Sequence, residues 1–531
     1  MLQSLFLVFC LYFKTLRQMH FADDYLYLSY DNHLLREAPW TDLYKFFLVR
    51  ANAWEFLPLR DFTYWLDFRL FGDTFSGFHF TNLIWYALSI GGAYFLFHQL
   101  ILLCRPEWGE KASLLSLVGA LFFAAHPAHV EAVAWVASRK ELVAGSLVLF
   151  SLALLTHAVR NGRPWREIIV SAFLLFLAYF GKGAAVACVI FAGVLLCVGD
   201  QSLEKNTGRN VGKFSTVLLF FSLAALACAI HIRVGADTGI RVENHLGIFA
   251  ILDRASRILS ALLGILLFPY PMRLYYDVYQ YGAWHWLVSG FAVIAGFGAL
   301  RVLIKRRSLS ALGVVLALSP MLVYLQFIPF GTWSLAGERF VFVSIAGLSL
   351  MGVDILGRFT KPRAMGIAVA ILIFPCMAIT WMRIDEWGRD GIYDMLDIEY
   401  GYQPNFHVVL SDRISPRLML AKRYGEARSV AQGFKRPYAA DAMLRYIDTH
   451  EAYTPLRKLS TDETMKPDLK DLREKFCVES GKLRESIRRA REQLRTEPDV
   501  SYYYIIQSLA VWSEGYDDAG RKKMSCKPGN S

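Results

Sequence analysis

Residues 123–147, FAAHPAHVEAVAWVASRKELVAGSL, decide how this chain is read. An apolar run ends in His126, His129 and Glu131. The chain turns through Arg139, Lys140 and Glu141, and a second apolar run begins at Leu142. Ionisable side chains at the end of so apolar a segment are expensive in a bilayer, and where they occur they face a protein interior or a wet cavity. The stretch reads as the tip of a hairpin between two membrane-crossing helices, 113–130 and 140–158, with a polar cluster at the membrane face.

The same pattern extends in both directions. Apolar stretches near the roughly 17–25 residues that cross hydrocarbon lie at 2–19, 79–103, 166–181, 184–198, 213–232, 284–304, 311–330, 340–357 and 365–382. The 531-residue chain is 55% hydrophobic and only 19% charged, with a mean hydropathy of +0.33. A soluble protein would carry about a quarter charged residues. Barrel strands would alternate in polarity over about ten residues. The fold class is therefore an all-α polytopic membrane protein.

The net charge of +11 does not point to nucleic acid, because much of it sits in short clusters between apolar segments. Arg160, Arg163 and Arg166 form one, Lys305, Arg306 and Arg307 another, and Arg358, Lys361 and Arg363 a third. Cytoplasmic loops collect such clusters. With the N-terminus inside, the loops 105–112, 159–165, 199–213, 305–310 and 358–364 fall on the cytoplasmic side, and 20–78, 126–139, 233–283 and 331–339 fall outside. If the apolar stretch 255–268 crossed, Lys305–Arg307 would move to the outer face, so it reads as re-entrant or interfacial. The result is eleven spans with the C-terminus outside. Lys14 and Arg17, near the outer end of the first span, run against the rule. No small-residue cleavage site follows the first apolar stretch, so no cleavable signal peptide is expected.

Residues 1–382 thus form a membrane domain and 383–531 a polar, helix-favouring outer domain. In the latter, LAKRYGEA, with Gly425 and Ala427, and the run from Pro498 through Gly515, Tyr516 and Ala519 resemble tetratricopeptide turns, where small residues let paired helices approach. Six cysteines (Cys10, Cys104, Cys188, Cys197, Cys228, Cys376) lie in or beside apolar spans and read as buried small hydrophobes. Cys477 and Cys526, in the polar tail, are able to pair if that tail is outside the cytoplasm.

The first outer loop opens with the pair Asp23-Asp24, continues through PLRDFTYW (58–65) and closes with GFHFTN (77–82), which contains His79. Alone, two adjacent carboxylates most simply keep a loop wet. At a membrane face they also suit general-base work on a hydroxyl, and their repulsion raises the pKa of one of them. Oxygen ligands suit a hard cation, so Asp23, Asp24 and Glu131 form a weak alternative metal set. Arg60, Arg139, Lys182, Arg273 and Arg339 all face outward in this topology. Each singly reads as an interfacial anchor. Together they suggest an anionic ligand, and arginine in particular matches phosphate.

The blocks FLPLRDFTYWLDFRLFGDTFSGFHFTNLIWYAL, FAAHPAHVEAVAWVASRKELVAGSL, AYFGKG and GERFVFVS, in that order over about residues 20–390, resemble the membrane-embedded O-mannosyltransferase-like family. That family includes the protein O-mannosyltransferases and the transmembrane-and-tetratricopeptide proteins. The resemblance implies a C-type glycosyltransferase fold and an inverting glycosyltransferase with a polyprenyl-phosphate sugar as donor. It implies Asp23 as the base, with Asp24 as alternative or helper. It places His79, His126, His129 and Glu131 around the acceptor and sugar, and makes Arg60, Arg139, Lys182, Arg273 and Arg339 candidates for the donor phosphate. The resemblance assigns no definite cofactor, and a divalent cation is compatible. Expected partners are the lipid-linked sugar, an exported acceptor protein with its Ser or Thr hydroxyl, and the bilayer of the cell membrane. The rival readings are transfer to a lipid or surface polysaccharide, a polyprenyl-lipid transporter, and a non-catalytic partner protein. Transporters place charges near mid-bilayer and show internal repeats. Here the charges gather at one face. The residue after Lys182 is glycine, where relatives carry an acidic residue or proline, and the first helix is short.

Overall fold

The computed structural model describes residues 9–18, 24, 28, 32–51, 55–162, 164–199, 210–235, 247–270, 272, 276, 278, 282–327, 334–359, 361–388, 424–432, 437–459 and 469–496. Among them the fold is helical, and the only β pairing is an isolated bridge between Tyr276 and Ala336. The chain forms two compact units, residues 1–20 with 32–389, and residues 21–31 with 390–531.

In the first unit α1 (His33–Glu37) and α2 (Pro58–Phe71) belong to the first loop. They are followed by α3 (Phe75–Cys104), α4 (Gly109–Ala125), α5 (Val130–Ala134), α6 (Arg139–Arg160), α7 (Trp165–Gly181), α8 (Cys188–Gly199) and α9 (Asn210–Gly235). The unit closes with α10 (Ile248–Leu267), α11 (His285–Lys305), α12 (Leu309–Leu318), α13 (Ser344–Leu356) and α14 (Pro362–Gly388). Among the described residues five helical segments are long and apolar enough to cross a membrane: Phe75–Cys104, Val136–Arg160, Phe214–Val234, His285–Lys305 and Arg363–Trp387. A sixth is the pair Pro106–Ala125 and Pro127–Ala134, bent by 60°. Shorter apolar helices at Gly183–Val198, Leu309–Leu325 and Ser344–Leu356 cover three further stretches expected to cross. The Val136–Arg160 segment is 78% buried and Arg363–Trp387 only 11%, so α6 is the centre of the bundle and α14 its rim.

Small residues set the closest approaches. A side chain at Gly347 would overlap the backbone of Gly313 and Ala317, which brings α13 against α12 at backbone distance. At Gly92 an added Cβ would stand 2.9 Å from Leu149 Cβ and 3.2 Å from Phe150 N, where α3 crosses α6. Without a hydrophobic force between helices in lipid, such small-residue seams carry the packing.

Several helices are interrupted near one another. The chain takes tighter 3₁₀ turns at Pro127–His129, Val136–Ser138, Gly183–Ala187, Ser319–Leu325 and Glu338–Val341. The turn 319–325 meets both 183–187 and 338–341, and 338–341 meets 127–129. Pro127 and Pro320 account for two of the breaks, since proline cannot donate to the helical ladder. Irregular backbone at membrane depth is tolerated where it is buried in protein or lines a cavity, and three of these turns, 183–187, 319–325 and 338–341, line one.

The stretch expected at 255–268 begins earlier, at Ile248, and includes Asp253, Arg254 and Arg257. It is an amphipathic helix whose apolar face packs inward, outside the group of candidate spans.

In the second unit α15 (Tyr424–Gln432), α16 (Pro437–Leu459) and α17 (Leu469–Thr496) pack in sequence. Buried Ala427, Ala431, Ala439 and Ala442 sit on the first two and Leu483, Ile487 and Ala490 on the third. Arg428 joins α15 to Asp448 of α16 at 2.9 Å. Ala427, singled out in the first tetratricopeptide-like match, is thus a buried small residue. The match at 498–519 lies outside the described residues. Cys477 is disulfide-bonded, Cys526 lies outside the described residues, and the other six cysteines carry free thiols.

Candidate active site

The two most distinctive blocks of the sequence are clasped together. Arg139, fully buried at the start of α6, donates from Nε to Asn82 Oδ1 at 2.7 Å and from Nη2 to the Phe78 carbonyl at 2.7 Å. Its Nη1 pairs with Asp67 Oδ2 at 2.5 Å. Asp67 in turn accepts from Thr81 Oγ1 at 2.6 Å. Tyr64 donates its hydroxyl to the Val136 carbonyl at 2.7 Å. Beside this, Arg60 forks onto Asp61, with Nε and Nη2 at 2.8 and 2.7 Å from Oδ1. Glu55 bridges Arg60 and Lys140, each at 2.6 Å. Burial would raise the Glu55 acid, but Lys140 and Arg60 hold it below the ordinary carboxylate range. Burial pushes Asp61 up to about 6 against the pull of the Arg60 guanidinium.

A small cavity of about 30 Å³ lies where the 3₁₀ turns 183–187, 319–325 and 338–341 meet. Lys182 and Arg339 line it together with Glu141, over an aromatic floor of Tyr324, Phe340 and Phe342. Ala144, Val148, Ala185 and Cys188 make its apolar walls. Glu141 and Val148 are seven residues apart on α6, which spaces the polar and apolar ends by about 10 Å at 1.5 Å per residue. Each cation is held by one carboxylate. Lys182 pairs with Glu141 and lies 4.9 Å from the Tyr324 ring centre. Arg339 pairs with Glu131, which also accepts the Arg339 backbone N–H at 2.8 Å. Burial, with Lys140 and Arg339 adding their repulsion, pushes the Lys182 ammonium well below its ordinary range.

Behind Arg339 a second layer repeats the pattern. Glu338 accepts from Arg383 Nη2 at 2.7 Å and from the Tyr276 hydroxyl at 3.2 Å. Burial, opposed by Arg383 and reinforced by Glu131, pushes the Glu338 acid up to about 8.

The histidines are engaged from within. His126 Nδ1 accepts the Ala128 N–H at 3.3 Å, capping the turn after it, and Nε2 faces the Leu266 carbonyl at 3.1 Å. His129 Nδ1 meets the Tyr86 hydroxyl at 3.0 Å and Nε2 the Phe342 carbonyl at 3.3 Å, with Phe123 and Phe342 rings at 4.4 and 4.6 Å. His79 is buried on α3, one turn before Asn82.

The structure thus brings Lys182 and Arg339 to one cavity, pairs Glu131 with Arg339 beside it, and places Arg60 and Arg139 in the neighbouring clasp. Asp23 and Arg273 lie outside the described residues. Asp24 is buried in the second unit, its carbonyl accepting the Leu28 N–H at 2.9 Å. Glu55, Asp61, Tyr324, Glu338 and Arg383 were not singled out in the sequence, although GERF carries one of them in plain sight, and Glu141, named in the turn, was given no place in the site. Among the described residues no group of three His, Cys, Asp or Glu side chains is placed to hold a metal ion.

No family model matches the chain. It is 32% identical over 155 residues, 29% of its own length, to Protein O-mannosyl-transferase F38B6.6 of Caenorhabditis elegans, covering 21% of that protein. The chain is similar to protein O-mannosyltransferases. It is also 27% identical over 250 residues to Protein O-mannosyl-transferase Tmtc1 of Drosophila melanogaster and 28% over 227 residues to TMTC2 of Homo sapiens, 43% and 41% of this chain. It spans between about a fifth and a quarter of the length of these relatives, 21% to 27%. Among solved structures the oligosaccharyltransferase AglB of Archaeoglobus fulgidus aligns over 74% of this chain and 57% of its own, with a TM-score of 0.42 and 13% identity.

Proposed function

We propose that this protein transfers a sugar from a polyprenyl phosphate to a hydroxyl of an exported acceptor protein, with inversion, at the outer face of the cell membrane. The observation that carries this reading is the cavity. Two cations and the rings of Tyr324, Phe340 and Phe342 line it beside the apolar Ala144, Val148, Ala185 and Cys188, a lining that matches the phosphate end of an amphiphile. The similarity to O-mannosyltransferases supports the same substrate class.

In this reading Lys182 and Arg339 bind the donor phosphate, exchanging part of their pairing with Glu141 and Glu131. Asp23, assisted by Asp24, takes the acceptor proton. The acceptor oxygen bonds the anomeric carbon as its bond to phosphate breaks, and the lipid phosphate leaves into the two cations, which stabilise it. Arg60 and Arg139, with their donors committed, brace the loop helix α2 against the bundle instead of binding phosphate. His129 backs the Phe342 ring that lines the cavity, His126 and His79 are buried outside that lining, and Arg273 remains a further phosphate candidate. The eleven-span count, the inward N-terminus, the boundary between membrane and tail domains near 382 and a tetratricopeptide-like outer tail complete the proposal. The bonded Cys477 supports the outer placement, because disulfides persist in oxidising compartments.

The test uses purified protein in nanodiscs with a panel of polyprenyl-phosphate sugars and peptides from exported proteins, read by mass spectrometry. Glu131→Gln with Arg339→Gln, which removes one of the two cations without stranding its buried partner, should cut donor binding by about 100-fold, with the unfolding midpoint read on the same preparation. Transfer unchanged by that variant refutes the cavity assignment. Transfer to glycolipid alone favours the lipid or polysaccharide rival.

A further inference from the structure

The segment Trp40–Phe47, WTDLYKFF, is a 3₁₀ helix followed by Leu48 and Val49. At three residues per turn its side chains fall into three stripes. Leu43 and Phe46 form one, and Phe46 is completely buried. Asp42 and Lys45 form another and pair at 2.7 Å. Thr41, Tyr44 and Phe47 form the third, and Leu48 and Val49 follow the helix end. Tyr44 is 58% exposed, Phe47 42%, Leu48 64% and Val49 49%, while Trp40 at the helix start is 66% exposed.

This apolar face is held in place. The Trp65 indole N–H and Arg69 both donate to the Ala38 carbonyl, at 2.8 and 2.7 Å. The Trp40 ring meets Trp65 edge-on at 4.5 Å, and Asn32 donates to the Ala51 carbonyl at 2.7 Å, closing the two ends of the segment. The face also continues onto α7. Phe47 meets Phe180 at 6.1 Å near the end of α7, whose Ile169, Val170 and Phe173 point outward.

We propose that residues 40–49 lie in the bilayer interface, with Tyr44, Phe47, Leu48 and Val49 inserted beside the end of α7 and the Asp42–Lys45 stripe toward water. Bilayer is the occupant that the composition fits. Trp, Tyr and Phe prefer the headgroup level, and an amphipathic helix with basic fringes binds there; here Lys45 and Arg50 supply the fringe. Continuity with the outward face of α7 points the same way, because a docking protein would have to cover apolar surface that already belongs to lipid. The segment ends shortly before Glu55, which bridges Arg60 and Lys140, so it ties the membrane plane to that clasp. The inference rests on α7 crossing the membrane and is independent of the transferase reading.

The full chain in nanodiscs tests it. Tyr44→Cys and Leu48→Cys are treated with a water-soluble maleimide, and labelling is read by peptide mapping so that the native thiols do not contribute. Phe173→Cys is the lipid standard and Asp73→Cys the water standard. The expected result is loss of labelling at 44 and 48 to the level at 173, while 73 reacts. A second measurement needs no substitution: lipids with a photoreactive group near the headgroup should leave adducts on the 40–49 peptide of the unaltered protein. Labelling at 44 and 48 as fast as at 73 overturns the proposal, as does protection that appears only at high protein density, which would indicate a second copy. Absence of headgroup-level adducts overturns it too. Free reaction at 173 overturns the membrane placement of α7 along with it.

Discussion

The pairing of Glu131 with Arg339 permits a sharp test, because the two residues are neighbours only in space, 208 positions apart. Both are nearly fully buried. Glu131→Gln keeps an acceptor for the Arg339 backbone N–H but removes the negative charge, stranding a buried guanidinium. Breaking a buried pair from one side costs about 3–5 kcal/mol. The retained hydrogen bond returns about 1 kcal/mol, so a loss near 3 kcal/mol is expected. Arg339→Gln strands the carboxylate instead and should cost about as much. Glu131→Gln with Arg339→Gln strands neither charge, and its loss should fall below either single change, a coupling of at least about 2 kcal/mol in a double-mutant cycle. Activity should behave differently. If Arg339 binds the leaving phosphate, every variant lacking it loses kcat/KM by about 100-fold or more, corresponding to about 3 kcal/mol for a charged hydrogen bond, and the stability recovered in the double variant brings none of it back. The assays are denaturant unfolding in detergent and single-turnover sugar transfer on the same preparations. Additive stability losses refute the coupling. Full transfer by Arg339→Gln refutes the phosphate role.

Asp23→Asn and Asp24→Asn, made separately, should show one loss of about 100- to 10,000-fold in transfer, the usual span for a general base; survival of both rules the pair out. Asp61 holds its proton up to about pH 6 when folded against an ordinary value of 3.8. The folded state therefore binds more protons between those limits, and stability should fall as pH rises through that window. In Asp61→Asn that slope should flatten, as read by unfolding midpoints from pH 4 to 7. Gly347→Ala should destabilise by about 1–3 kcal/mol, because the added methyl forces α13 off the backbone of α12; thermal unfolding checks it, and an unchanged midpoint would deny the close crossing.

Much of the architecture was legible in the sequence because burial in lipid leaves a local signature, an apolar run of fixed length. The breaks were less so. Pro127 and Pro320 announce two, but the 3₁₀ turn at Gly183–Ala187 has no proline, and its packing against Ser319–Leu325 is recorded by no local pattern. The start of α10 at Ile248 was missed because Asp253, Arg254 and Arg257 dilute its apolar signal while lying on an amphipathic helix. At the site the cations could be named as residue types at one membrane face. How each of them is paired depends on contacts such as Arg139 with Asp67 and Lys182 with Glu141, 72 and 41 positions apart in sequence, and only the folded chain separates the cations of the clasp from the two that line the cavity.

The Arg139 fork has a consequence for how this position is able to vary. Its three nitrogens reach Asp67, Asn82 and the Phe78 carbonyl in one plane, a geometry that only a guanidinium offers. Lysine preserves the charge yet reaches one of these partners well, leaving the others as buried acceptors without a donor. Charge conservation is therefore the wrong measure of tolerance here. A homologue with lysine at this position should carry compensating changes at 67 or 82, so the three sites are expected to drift as a linked group and to stand out as covarying columns once enough relatives are aligned.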